Sequence, residues 1–156
     1  MIPAKRLLNR IRQSEKGKLM HTFNSDLFRF ELTASNLIIS IKDATEMSLS
    51  PTEALELADF LASRRREIRR EQRLLERGKP ASYYVTSYEC LEMRTYRFLY
   101  LFGWLTIIDL QHTFEMEFHP SNVLLLDNFL RAHRRALENM PQDLEVLFVT
   151  FAERFF

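Results

Sequence analysis

Residues 38–68 and 107–137 carry one pattern twice. A shift of 69 residues without gaps lays IISIKDATEMSLSPTEALELADFLASRRREI on IIDLQHTFEMEFHPSNVLLLDNFLRAHRRAL, with identities in 11 of 31 positions: Ile38, Ile39, Glu46, Met47, Pro51, Leu55, Leu57, Phe60, Leu61, Arg65 and Arg66. A repeat constrains the fold more than any local propensity, because both copies must take the same supersecondary form. The shared segment E-M-x-[LF]-x-P-[ST] ends a strand and opens a helix. It predicts an α+β chain, a tandem pseudo-repeat of an antiparallel β-meander followed by a helix. The 156 residues suit one domain, with copies at about 19–79 and 80–140 and a C-terminal extension over 141–156.

Local pattern supports each element. Phe28, Phe30 and Leu32 alternate with Arg29, Glu31 and Thr33, and Leu37, Ile39 and Ile41 follow the turn residues Ser35 and Asn36; period two marks strands with one buried face. In the second copy Tyr83–Met93, Tyr96–Phe102, Trp104–Leu110 and Thr113–Phe118 read as a four-stranded meander. Ser50 is a candidate N-cap, with Pro51 at N1 and Glu53 at N3; His119, Pro120 and Ser121 form a poorer start in the second copy. Leu57, Phe60, Leu61 and Ile68, echoed by Leu126, Phe129, Leu130 and Leu137, recur at helical spacing. Residues 4–15 form a short amphipathic helix with Leu7, Leu8 and Ile11 on one side, and DLEVLFVTFAERFF fits helix and strand equally.

Several function classes find no footing. Three glycines leave little for a phosphate cradle, and no Walker, Rossmann or nucleophile-elbow motif occurs. Cys90 is the single cysteine, with no identifiable activating partner, so it reads as a small strand residue in a reducing, cytoplasmic setting. His21, His112, His119 and His133 lack metal-ligand spacing. The N-terminus lacks a signal-peptide core, and no long apolar run exists. The expectation is a non-enzymatic cytoplasmic protein without metal, cofactor or membrane contact.

Two features call for a partner. Residues 1–79 hold 16 Lys+Arg against 11 Asp+Glu, whereas residues 80–156 hold 6 against 10, so the halves are oppositely charged. The first-copy helix continues through SRRREIRREQRLLERGK, placing Arg65, Arg69, Arg73 and Arg77 in one column and Arg66 and Arg70 in a second. Such columns suit phosphate, since guanidinium forks match its oxygens and release counterions. They also suit pairing with acids of the other half, and Leu61, Ile68 and Leu75, seven apart, offer a helix-pairing seam. The second feature is the alternation Tyr96, Phe98, Tyr100 and Phe102, with Trp104 just after and Tyr83, Tyr84 and Tyr88 on the neighbouring strand. Rings on one strand face can stack bases at about 1–3 kcal/mol each, or pack beneath helices or in a dimer interface.

Met47, Ser48, Leu49, Ser50, Glu53 and Leu57, echoed by Met116, Phe118, Pro120 and Leu126, form a strand-to-helix motif that resembles the fold shared by the Whirly proteins, the positive cofactor four coactivators and the Pur-alpha repeats. That resemblance implies paired ββββα units with single-stranded DNA or RNA held against curved sheets. The lysine-rich strand motif of Whirly proteins is not found. The expected function is sequence-tolerant single-stranded nucleic-acid binding, in a transcriptional regulator, through Arg65, Arg66, Arg69, Arg70, Arg73 and Arg77 with Tyr96, Phe98, Tyr100, Phe102 and Trp104. The alternative is a protein-interaction module that homodimerises through its sheet or its extended helix.

Overall fold

The computed structural model describes residues 19–42, 44–78 and 88–140. The expected helix over 4–15, Tyr83, Tyr84 and the extension over 141–156 lie outside the described residues. Among the described residues eight strands and four helices follow in the order β1 (Leu19–Asn24), β2 (Phe28–Thr33), β3 (Leu37–Ile41), β4 (Glu46–Leu49), α1 (Pro51–Ala62), α2 (Arg65–Glu76), β5 (Glu89–Glu92), β6 (Tyr96–Leu101), β7 (Trp104–Asp109), β8 (Phe114–Phe118), α3 (Pro120–Ala132) and α4 (Arg134–Glu138). The strands form two four-stranded antiparallel meanders, β1-β2-β3-β4 and β5-β6-β7-β8, so the chain is α+β as the repeat requires. Among the described residues no helix is long and apolar enough to cross a membrane. Two compact units emerge, one from residues 19–55 with 133–140 and one from residues 56–132.

In the first unit the alternation of β2 does what its pattern demands. Phe28, Phe30 and Leu32 pair with Ile41, Ile39 and Leu37 on neighbouring strands, and all but Ile41 are buried. Ser50 and Glu53 close a reciprocal capping box. The Glu53 amide donates to Ser50 Oγ at 3.2 Å and the Ser50 amide donates to Glu53 Oε1 at 3.1 Å, satisfying orphan donors at the start of α1. His21 stacks on His133 with centroids 4.2 Å apart.

In the second unit Phe98 pairs with Ile107, and Ile107 with Met116, on the buried face of β6, β7 and β8. Phe102 and Gly103 both have positive φ, 44° and 87°, and form the two-residue hairpin turn between Leu101 and Trp104. Paired left-handed residues match the twist of the flanking strands. Space is also tight at Gly103, since a Cβ there would lie 3.1 Å from Glu71 Cβ. At α3 an imidazole serves as cap, with the Ser121 amide donating to His119 Nδ1 at 3.1 Å.

The duplication is not gapless. Phe30 pairs with Ile39 as Phe98 pairs with Ile107, an offset of 68, while Ile39 pairs with Met47 as Ile107 pairs with Met116, an offset of 69 on the last strand. Ile39 thus corresponds to Ile107, not Ile108, and the matches at Ile38 and Ile39 fall one residue out of register. The extra residue sits in the β7–β8 loop. There Asp109 Oδ1 accepts the Gln111 and His112 amides at 2.9 and 3.1 Å, and Thr113 takes a φ of 54°. Burial disfavours the Asp109 charge, but those bonds and the His112 ring outweigh it and hold its carboxyl below the usual range.

Candidate nucleic-acid interface

The first-copy helix is expected to run on unbroken, yet it stops at Ala62 and restarts at Arg65. The cause is competition for one carbonyl. Phe60 O accepts Ser63 Oγ at 2.9 Å and Arg64 Nη1 at 2.8 Å, while the Arg64 amide turns to Leu61 O at 3.0 Å. Arg64 takes φ −113° and ψ 3°. The second copy breaks at the equivalent place, with His133 at φ −111° and ψ 17°. Arg64 is fully engaged: its guanidinium lies 3.6 Å from the Phe60 ring centroid and its Nε donates to Glu89 Oε2 at 2.6 Å.

Beyond the break α2 sorts its charges by face. Arg65 leaves the expected column and binds Asp127 of α3 in a fork, Nε to Oδ2 at 2.5 Å and Nη2 to Oδ1 at 3.0 Å. That bond holds the Arg65 guanidinium above its ordinary value. Glu67 accepts the Tyr100 hydroxyl, and Glu71 is buried beside Gly103. Arg66, Arg69, Arg70, Arg73 and Arg77 remain exposed. At 3.6 residues per turn these five share an arc of about 100° and a length of about 16 Å, with Glu76 at the margin. Arg70 lies 3.6 Å from Glu71 and 4.0 Å from Glu67; the side chains of Arg66, Arg69, Arg73 and Arg77 make no ion pair among the described residues.

The aromatic face differs from expectation. Tyr96, Phe98 and Tyr100 are buried, because β6 is a central strand whose even positions face the core; Phe60 meets Tyr100 edge-on with centroids 5.9 Å apart. The Tyr100 hydroxyl is pushed well above the ordinary phenol range by burial first, then by Glu67. Phe102 is a turn residue rather than a fourth rung. Trp104 stands on the opposite face, 37% exposed and edge-on to His119 at 4.9 Å. An open stacking surface on Tyr96, Phe98, Tyr100 and Phe102 is therefore not present. The helix-pairing seam is also occupied, since Leu61 and Ile68 are buried within their own unit. Tyr88, exposed, adjoins Glu89 at the foot of α2.

Chemically, α2 offers a linear row of charge-assisted donors without hydrophobic cover. Such a row fits regularly spaced oxyanions. Among the described residues no cluster of His, Cys, Asp or Glu could hold a metal. No family model matches the chain, and no curated protein matches it.

Proposed function

We propose that this protein binds single-stranded DNA or RNA without sequence preference, through phosphates laid along the guanidinium row of α2, as a cytoplasmic regulator of transcription. The observation that carries the reading is the row itself: five exposed arginines within about 16 Å, of which only Arg70 lies within 4.0 Å of an acid among the described residues. Two meanders each followed by a helix are also the architecture that the Whirly-like resemblance implies. The reading moves the contact from the sheet to the helix. Base stacking then falls to Tyr88, which is exposed, rather than to Tyr96, Phe98 and Tyr100.

Five phosphate contacts predict a slope of log affinity against log salt near −3.5 on a single strand, at about −0.7 per contact. Changing Arg66, Arg69 and Arg73 together to alanine should bring it to about −1.4, with the fold intact by circular dichroism. Fluorescence anisotropy with a labelled homopolymeric oligonucleotide measures both. An unchanged slope in the folded triple variant refutes the reading.

A further inference from the structure

The two copies share a scaffold but differ on the faces their sheets turn outward. On the first sheet Arg29, Glu31 and Thr33 of β2, Ser40 of β3 and Glu46 and Ser48 of β4 share the face opposite Phe28, Phe30 and Leu32, with Ile38 its apolar member; Thr33 and Ile38 are buried and Arg29 is exposed. That face is polar in all but one position. On the second sheet the corresponding positions of β6 and β7 are Arg97, Leu99, Leu101, Thr106 and Ile108. Registration joins Cys90 to Leu99 and Leu101 to Trp104, so Cys90, Leu99, Leu101, Trp104 and Ile108 lie on one outer face. Cys90 and Trp104 are exposed, and Leu99, Leu101 and Ile108 are half-buried. The fold does not demand these apolar residues, since its own duplicate carries Glu31, Thr33 and Ser40 in place of Leu99, Leu101 and Ile108.

Charge decides what fits. Glu117 and Glu115 flank this face on β8, opposite Thr106 and Ile108, and both are exposed. Arg97, on the same face, is already held by Glu92 at 2.5 Å. The surface is apolar at its centre and acidic along its rim, so phosphate is repelled and a cationic partner is favoured. A second copy fits poorly: the exposed arc of α2 is basic but carries no apolar side chain, and two such sheet faces would oppose acid to acid.

We infer that the outer face of β5-β6-β7-β8 is a docking surface for a basic amphipathic polypeptide segment. Its apolar side chains pack on Leu99, Leu101 and Ile108, and its lysines or arginines reach Glu115, Glu117 and the Trp104 ring. This surface is separate from the guanidinium row and independent of nucleic-acid binding.

The chain supplies its own reporters, because Trp104 is the only tryptophan and Cys90 the only cysteine. A short helical leucine–lysine peptide is titrated into the full-length protein. Docking shifts Trp104 emission to the blue, and at ten times the Kd slows thiol labelling of Cys90 by about tenfold. A glutamate-for-lysine peptide should do neither. Leu99→Gln with Leu101→Thr, polar at both places as the first sheet is, should abolish both responses and leave oligonucleotide affinity unchanged. Equal binding by that folded variant, or no response to the leucine–lysine peptide, overturns the inference. So does Cys90 protection without peptide, if it rises with protein concentration, as a second copy would cause, or vanishes on deleting residues 1–18.

Discussion

Replacing Arg65 with alanine should destabilise the protein far more than replacing its partner Asp127, although both remove the same bidentate pair. The side chain of Asp127 is 2% exposed and that of Arg65 is 23% exposed. Loss of Arg65 strands a carboxylate in the interior, which costs about 3–5 kcal/mol. Loss of Asp127 frees a guanidinium that already reaches solvent and can turn outward, so the cost is a charge-assisted hydrogen bond, about 1.5–3 kcal/mol. Against a typical domain stability of about 5–15 kcal/mol, the first change is severe. Urea titration reads the difference: at a slope of about 2 kcal/mol per molar, a loss of about 4 kcal/mol moves the midpoint by about 2 M. The pair Arg65→Met with Asp127→Leu should fall close to wild type, because a packed apolar contact replaces a buried ion pair at little cost. Asp127→Ala should also add a sixth guanidinium near the row on α2, steepening the salt slope for oligonucleotides by about 0.7. Equal destabilisation by the two single changes, or less than about 1 kcal/mol from Arg65→Ala, would refute the assignment of a buried, dependent carboxylate.

The Tyr100 hydroxyl has its folded pKa raised by burial and by Glu67, so its contribution to stability is complete below the ordinary phenol value of about 10 and declines as pH rises beyond it. Tyr100→Phe should cost about 1.5–3 kcal/mol at neutral pH and flatten the alkaline limb of a pH series of urea midpoints; an alkaline limb as steep as wild type counts against the buried phenol. Ser50→Ala should cost about 1 kcal/mol, and Ser50→Gly a few tenths, in thermal unfolding followed by circular dichroism. Equal losses would mean that the capping box of α1 does not contribute as its geometry implies.

Much of the fold was legible because a duplicated pattern reports every element twice. The alternation of Phe28, Phe30 and Leu32, the Ser50 to Glu53 cap and the motif at Pro51 and Pro120 each tie a residue type to one backbone role, and the structure uses them so. What escaped was whatever depends on contacts distant in sequence. Nothing in SRRREIRREQ marks Arg65 as the partner of Asp127, 62 positions away, so it reads as one more member of a basic column. The helix break at Ser63 and Arg64 turns on a side chain capturing Phe60 O, a competition that helical spacing conceals. For the aromatic strand, alternation put Tyr96, Phe98 and Tyr100 on one face correctly but could not tell which face is covered. Leu99 and Leu101 on the other side made both readings equally apolar, and burial decided it. The strand β1 is not legible in LMHTFN, whose apolar residues Leu19, Met20 and Phe23 do not alternate.

A duplicated scaffold also supplies an internal control for function, since features required by the fold should appear in both copies. The caps, the helix breaks and the buried rungs do. The guanidinium row does not: its helix has 12 residues in the first copy and 5 in the second, and the positions of Arg69 and Arg70 become Glu138 and Asn139. The apolar outer face does not either, since Glu31 and Thr33 stand where Leu99 and Leu101 do. Each departure costs something in isolation, through repulsion between neighbouring arginines along α2 and through hydration of half-buried leucine. Among the described residues only Arg70 of the row has acidic neighbours, Glu67 and Glu71, and Leu99 and Leu101 are only half-buried. A partner that neutralises the arginines and another that covers the leucines would offset both, and the opposite chemistry of the two surfaces means that one partner cannot serve for the other.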